Sequence, residues 1–122
     1  MSWKSGQAIT FSPTIDDIAK SYSLTLGIRH HYALNVEKFG VQIVMTSPSG
    51  KEEALDATAL IRDTAGEHVG DCMGDICDLE VLVSDGMKFT EAGTYNVTIV
   101  HSEDGYQIPG IMEVGLIIDA NE

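Results

Sequence analysis

Positively charged residues are scarce in this chain of 122 residues. Seven lysines and arginines stand against nineteen aspartates and glutamates, which gives a formal net charge of −12. Such a field repels phosphate backbones and anionic lipid surfaces, and it argues against nucleic-acid binding. Hydrophobic residues make up 43% of the chain, but they form no run of about 18 that could span a membrane as a helix. The length predicts one domain over residues 1–122.

Cysteine is scarcer still, with Cys72 and Cys77 alone. Two cysteines do not make a disulfide framework, and they offer too few thiols for a zinc site. In an extended segment their Cα atoms would lie about 16 Å apart, far beyond bridging distance. A tight turn at Gly74-Asp75 could close that gap, but the strand pattern that begins near Ile76 argues against it. We therefore expect no disulfide, with Cys77 buried and Cys72 the more accessible thiol.

Apolar and polar residues alternate through most of the chain. A period of two is typical of strands with one buried face. The last two alternating stretches, residues 94–99 and 112–119, have the largest apolar faces in the chain. We expect these two strands to pair with each other in antiparallel orientation. The predicted strands are residues 8–11, 21–29, 39–45, 51–61, 76–83, 94–99 and 112–119.

The segments between these strands predict turns and loops. Residues 14–20 are typical of one helical turn or a loop, and residues 62–75 of a long glycine-rich surface loop. The alanines of residues 51–61 leave helix as a competing assignment, which the preceding Ser-Pro-Ser-Gly turn decides in favour of strand. Seven or eight short strands indicate an all-β fold, an antiparallel β-sandwich of immunoglobulin-like or jelly-roll-like type. The predicted core is Tyr22, Leu24, Leu26, Ile28, Val41, Ile43, Leu79, Val81, Tyr95, Val97, Ile99, Val114 and Leu116.

Residues that could carry out chemistry are few. His30 and His31 point to opposite faces of a strand and cannot both bind one metal, while His68 and His101 are isolated and predict surface roles. The acidic run from Asp71 to Glu80 lacks calcium-loop spacing and predicts a solvated face. No Gly-x-Ser-x-Gly elbow is present, and neither cysteine has an electropositive setting. We therefore expect no catalytic residue, no metal and no cofactor.

Three residues are candidate surface contacts. Arg29 is predicted to pair with an acid at the edge of the sandwich, with a ligand carboxylate as the alternative. Strand phase places Tyr22 and Tyr95 inward, and Trp3, Tyr32 and Tyr106 are the plausible exposed aromatic platforms. We select Arg29, Tyr32 and Tyr106 as the residues through which a partner would be contacted.

Short motifs occur in one order along nearly the whole chain. They are Trp3-Lys4, Phe11, Tyr22-x-Leu24-x-Leu26-x-Ile28-Arg29, Ser47-Pro48-Ser49-Gly50-Lys51, Gly70, Gly74-Asp75-Ile76, Phe89, Ala92-Gly93-Thr94-Tyr95, Pro109-Gly110-Ile111 and Val114-Gly115-Leu116. Together they resemble the gliding-motility-associated lipoprotein family GldH of the Bacteroidetes. The resemblance implies a precursor with a signal peptide and a lipid-bearing cysteine ahead of these residues. It also implies a lipid-anchored domain of the cell envelope, facing the periplasm or at the outer membrane.

The resemblance implies no catalytic residues, so we expect a non-enzymatic scaffold or adaptor for protein partners of the envelope. A carbohydrate-binding module is the alternative, because β-sandwiches often present sugar sites on loops or on a concave face. Asp63-Thr64-Ala65 resembles the short acceptor motif for O-glycosylation of exported proteins in the Bacteroidetes. Thr64 is therefore a candidate glycosylation site.

Overall fold

Antiparallel strands make up most of the chain, as the alternating pattern predicts. A computed structural model describes residues 2–4, 7–34, 36–101 and 107–121. These residues form no helix that is long and apolar enough to cross a membrane. The strands are β1 (Ser2–Lys4), β2 (Ile9–Phe11), β3 (Thr14–Ile15), β4 (Ser21–His31), β5 (Lys38–Thr46), β6 (Glu52–Leu60), β7 (Asp71–Met73), β8 (Ile76–Lys88), β9 (Gly93–Thr94), β10 (Asn96–His101), β11 (Gln107–Pro109) and β12 (Ile111–Asn121).

Two four-stranded sheets form the body of the protein. The first sheet has the order β2-β10-β5-β6, and the second has the order β12-β4-β8-β7. Two short pairs, β1 with β11 and β3 with β9, complete the strand pairing among the described residues. Every pair is antiparallel, and side chains from both sheets share one hydrophobic core. The prediction of an antiparallel β-sandwich is confirmed.

The buried faces follow the period of two. Of the thirteen predicted core residues, eleven are buried, and Val81 and Leu116 are partly buried and pack against the others. Leu26 of β4 and Ile43 of β5, one from each sheet, are both 0% exposed. The alternation therefore identified the inward face of each long strand correctly.

Trp3 and His101 are buried, which corrects the prediction of surface positions for both. Trp3 is 2% exposed and His101 is 3% exposed. The Trp3 indole N–H donates to the Gln7 carbonyl oxygen at 2.9 Å, and the ring meets Phe39 edge to face. His101 Nε2 lies 2.8 Å from the Trp3 carbonyl oxygen. The polar atoms of both rings have partners, and this allows the rings to be buried.

The two long C-terminal strands do not pair with each other, so that prediction is wrong. β10 lies between β2 and β5 in the first sheet, whereas β12 pairs with β4 in the second. Each strand has one apolar face, and placing them in opposite sheets buries both faces against the shared core. Alternation specifies which face is buried, but it does not specify the neighbouring strand.

Residues 14–20 and 62–75 contain strand pairing that the sequence did not predict. In the first segment β3 pairs with β9 and Ile15 is buried, and residues 16–20 form the loop that was the alternative to a helical turn. The second segment contains the bridge between Arg62 and His68, and it ends in β7, which pairs with β8. Residues 62–75 are therefore only in part the surface loop that was predicted.

Cys72 and Cys77 form a disulfide, so the prediction of two free thiols is wrong. The two residues are directly opposite each other in the β7–β8 hairpin, with their Cα atoms 3.9 Å apart. Gly74 has a φ of 64°, a value that glycine adopts without steric cost in a tight hairpin turn. The strand that begins at Ile76 is the second arm of this hairpin, and it brings the cysteines together. Burial of Cys77 is confirmed, at 0% exposed.

Leucine-to-alanine substitutions on the two faces of the second sheet should have very different effects. Leu26 is 0% exposed and Leu82 is 61% exposed. Leu26→Ala should lower the free energy of unfolding by about 3 kcal/mol, because it removes buried methyl groups and leaves a cavity. Leu82→Ala should change it by less than about 0.5 kcal/mol. Urea unfolding followed by Trp3 fluorescence measures both, and equal losses would contradict this assignment of faces.

Reducing the disulfide should cost a small amount of stability. The bridge closes a loop with a sequence separation of only 5, so the loop-entropy model gives a loss of about 2 kcal/mol. The measurement compares urea unfolding of the oxidised and reduced protein, with a chelator present in both. Thiol titration of the native protein should find no reactive sulfhydryl until a reductant is added. One fast-reacting thiol in the untreated protein would instead support the free-cysteine prediction.

Candidate functional site

Three segments meet at one end of the sandwich, where β4 ends. Tyr32 follows β4, and its backbone N–H donates to the Asp75 carbonyl oxygen at 2.7 Å, in the turn between β7 and β8. His68, in the segment after β6, places Nε2 2.9 Å from the Tyr32 carbonyl oxygen. The Tyr32 and His68 ring centroids are 4.5 Å apart. We call this region the Tyr32 end, and define it as Tyr32, residues 61–70 and the turn 73–76.

The segment after β6 folds back because Asp63 closes a tight turn. Its Oδ1 atom accepts two backbone N–H groups of the turn, at 2.9 and 3.0 Å. Gly66 has a φ of 82°, and its N–H donates to the Asp63 carbonyl oxygen at 3.0 Å. This turn returns His68 to a position opposite Arg62. Thr64 lies within the turn and is exposed.

Arg62 joins this turn to the end of β4. Its Nη1 donates to the Gly66 carbonyl oxygen at 2.9 Å. Its Nη2 approaches the carbonyl oxygens of Tyr32 and Leu34, each at 3.4 Å. The guanidinium thus contacts backbone on both sides of the Tyr32 end, and its charge lies beside the histidines there.

His30 and His68 present two nitrogens without a hydrogen-bond partner. His30 Nδ1 lies 3.0 Å from the His31 carbonyl oxygen, and His68 Nε2 lies 2.9 Å from that of Tyr32. A carbonyl oxygen can only accept, so these two nitrogens carry hydrogens, and in the neutral form of each ring His30 Nε2 and His68 Nδ1 carry the lone pairs. Both of the latter atoms are buried and unpartnered. Burial lowers the pKa of His30, which favours the neutral ring.

The disulfide lies next to this histidine pair. His30 is opposite Cys77 in the register of β4 with β8. The potential ligand atoms of His30, His68 and Cys77 all lie within 4.8 Å of one another. Two imidazoles and a sulfur are therefore gathered in one place, with two lone pairs that no protein group uses.

Arg29 belongs to a separate ion-pair group on the outer face of the second sheet. Its Nε donates to Asp78 Oδ1 at 2.8 Å, and its Nη1 lies 3.8 Å from Glu113 Oε2. This hydrogen bond lowers the pKa of Asp78. The predicted pairing of Arg29 with an acid is confirmed, but its position is not an edge, because β4 lies between β12 and β8. The arginine already has two carboxylate partners, so the structure gives no support to a ligand carboxylate there.

The other predicted site residues fall in different places. Tyr32 is 50% exposed at the Tyr32 end. Thr64 lies at the same end, while Arg29 does not belong to it. Tyr106 lies outside the described residues. The structure therefore groups Tyr32 with Thr64, and not with Arg29.

Sequence reasoning missed the grouping of His30, His68 and Cys77. These residues are far apart along the chain. The pairing of β4 with β8 and the contact of His68 with the Tyr32 carbonyl oxygen bring them together. The signal that could have found them is the antiparallel pairing of residues 21–31 with residues 76–88. Once that register is known, His30 is placed opposite Cys77.

Comparison with solved structures gives distant similarities. The chain is similar to the VP2 protein of infectious bursal disease virus in a subviral particle, with 17% identity, a TM-score of 0.36, and coverage of 95% of this chain and 27% of that one. A mutant VP2 of the same virus gives 16% identity, a TM-score of 0.37, and coverage of 98% and 27%. This chain thus spans 27% of the length of each viral chain. Similarity at this level carries no information about function.

Comparison of the sequence with protein families gives a clear match. No curated protein matches the chain. The family model described as GldH lipoprotein matches residues 1–118, a range that contains every motif from Trp3 to Leu116 on which the resemblance was based. The chain belongs to the GldH lipoprotein family.

Proposed function

We propose that this protein is a non-enzymatic adaptor of the cell envelope that binds a protein partner through the Tyr32 end. Membership of the family implies a lipid-anchored envelope protein associated with gliding motility. Family membership does not specify that the protein acts as an adaptor or that the Tyr32 end is its binding surface, and we propose both. Both cysteines are joined in the disulfide, so this form has no thiolate nucleophile.

Exposed apolar side chains at the Tyr32 end carry the proposal. Met73 is 88% exposed, Tyr32 is 50% exposed and Val69 is 46% exposed. Ile76, opposite Met73 in the hairpin, is also exposed. Scattered apolar residues on a surface need no explanation, but several at one end are typical of an interaction site. Methionine and tyrosine are also enriched at protein interfaces.

The frame beneath this surface is held by many bonds. The Cys72–Cys77 disulfide lies directly behind the turn that carries Met73. The Tyr32 N–H is bonded to Asp75 in the same turn. A surface whose backbone is already ordered loses less entropy on binding, and this favours affinity for a partner.

The carbohydrate-binding alternative has less support. Sugar sites place aromatic rings in the open, where they stack on the apolar face of the ring. Trp3, the residue best suited to that role, is 2% exposed. Among the residues that the structure describes, Tyr32 is the one aromatic side chain that is strongly exposed. A single tyrosine fits a protein contact at least as well as a sugar platform.

A capture experiment with matched variants tests the adaptor proposal. The wild-type domain, Met73→Glu and Leu82→Glu would each be used to capture proteins from native envelope, with quantification by mass spectrometry. Met73→Glu should lose the captured partner at least tenfold, because it places a charge in the apolar contact. Leu82→Glu should retain it, since Leu82 is exposed but lies outside the Tyr32 end.

Two outcomes would contradict the adaptor. One is that no protein depends on Met73 for capture. The other is a glycan array that gives a reproducible ligand whose binding is lost in Tyr32→Ala, which would favour the carbohydrate-binding function. Circular dichroism of each variant establishes that its fold is intact.

We also propose that Thr64 is O-glycosylated in the native protein. Its exposed position in the Asp63–Gly66 turn supports access by a glycosyltransferase. Mass spectrometry of protein from its native envelope should show a glycan on the peptide that contains Thr64. The modification should be absent in Thr64→Ala and retained in Thr58→Ala, an exposed threonine of β6. An unmodified Thr64 peptide in the wild type would overturn the assignment.

A further inference from the structure

The unpartnered nitrogens of His30 and His68 require an explanation. His30 is 0% exposed, and neither His30 Nε2 nor His68 Nδ1 has a hydrogen-bond partner. Leaving buried polar atoms unpaired is costly, and native proteins keep few of them without a reason. One ring nitrogen of each histidine and Cys77 Sγ lie within 4.8 Å of one another. An ion at their centre would satisfy both lone pairs.

We propose that this protein binds one zinc ion when the Cys72–Cys77 disulfide is reduced. The ligands are His30 Nε2, His68 Nδ1 and the thiolates of Cys77 and Cys72. The sequence alone predicts no metal site, because His31 points to the opposite face of the strand and no other histidine or cysteine lies near His30 along the chain. The fold brings His68 and Cys77 close to His30.

The surroundings of both imidazoles are those of metal ligands. A ligating histidine normally donates its other ring N–H to a carbonyl or carboxylate, which fixes the tautomer and the orientation of the ring. His30 does this with the His31 carbonyl oxygen, and His68 with that of Tyr32. Each ring thus directs a lone pair inward before any metal is present.

The distances require a modest contraction. Zinc bonds of about 2.0 to 2.3 Å in tetrahedral geometry place neighbouring ligand atoms about 3.3 to 3.8 Å apart. The potential ligand atoms of His30, His68 and Cys77 lie within 4.8 Å of one another. Binding of zinc would therefore bring them closer by about 1 Å. Residues 61–70 would supply this movement, since His68 lies outside both four-stranded sheets and is joined to Arg62 by a single bridge.

The cysteines supply the remaining ligands only after reduction. A dithiol reductant transfers two electrons and two protons to the disulfide, which breaks the S–S bond, leaves Cys72 and Cys77 as thiols and converts the reductant to its own disulfide. Zinc then displaces the two thiol protons. The product is a site with two sulfur and two nitrogen ligands and no net charge, a ligand set that selects zinc. The disulfide and the metal therefore exclude each other.

The local charge and access are compatible with this site. Arg62 Nη2 approaches the same Tyr32 carbonyl oxygen as His68 Nε2 and lines one cavity with Cys72, and a nearby cation favours thiolate over thiol. A cavity of about 200 Å³ is lined by Tyr32, His68 and Cys72, among other residues, and gives a route to the ligands from solvent.

Cobalt is the probe for this site, because tetrahedral Co²⁺ with thiolate ligands absorbs strongly in the visible and near ultraviolet. The full chain would be reduced with dithiothreitol, desalted without oxygen and titrated with Co²⁺ and then Zn²⁺. One equivalent of Co²⁺ should give these bands, and Zn²⁺ should remove them. The oxidised protein should give none.

Variants separate the four ligands from other residues. His68→Ala should weaken Co²⁺ binding at least tenfold, and Cys72→Ser with Cys77→Ser should abolish the near-ultraviolet bands. His31→Ala is the matched control, since His31 adjoins His30 but is exposed on the opposite face, and its affinity should stay within twofold. Circular dichroism establishes that each variant is folded.

Three results would overturn the zinc proposal. The reduced wild type could show no bands at micromolar protein and cobalt, His68→Ala could bind as tightly as wild type, or the oxidised protein could bind equally well. The first result needs no variant, so the test does not depend on the folding of a mutant. None of these results depends on the partner proposed for the Tyr32 end.

Discussion

The antiparallel register between β4 and β8 is the constraint on which both the core and the Tyr32 end depend. It places Ile28 opposite Leu79 inside the sandwich and His30 opposite Cys77 at its end. A slip of one residue would turn every inward side chain of β4 outward. It would also separate His30 from Cys77. One strand pairing therefore determines both the hydrophobic core and the position of the buried Cys77.

Arg29 helps to specify that register from the outer face. It lies opposite Asp78 on β8 and opposite Glu113 on β12, so one cation meets an acid on each neighbouring strand. These side chains are exposed, and exposed ion pairs contribute little to stability. Opposite charges across a strand pair still favour one alignment over its neighbours. A slip between β4 and β8 would move Arg29 away from Asp78, and the charge pattern thus supports the same alignment that the core requires.

The sequence predicted the long strands and their inward faces because burial leaves a period of two over many residues, as in β4. It could not predict β1 or β7, since three residues are too few to show a period and neither strand has the apolar patch that indicates β2. The sequence also did not specify which strands are neighbours, because two apolar faces can be buried by strands of one sheet or of two facing sheets.

The cysteine prediction is wrong for a different reason. It treats the Gly74 turn and the strand beginning at Ile76 as alternatives, although a hairpin contains both. The histidine cluster depends on register and could not be found without it.

The β7–β8 hairpin connects the two properties proposed for the Tyr32 end. Cys72 and Cys77 are adjacent to Met73 and Ile76, which flank the turn and belong to the apolar surface. In the oxidised form the disulfide joins the two arms, and in a metal-bound form the same sulfurs would be joined through zinc and linked to His30. Both forms keep the apolar surface on a cross-linked frame. The reduced, metal-free form holds these arms by only three residue pairs, so it loses more entropy when a partner orders the turn. Partner affinity should therefore depend on whether a cross-link is present, and less on whether that cross-link is a disulfide or a metal.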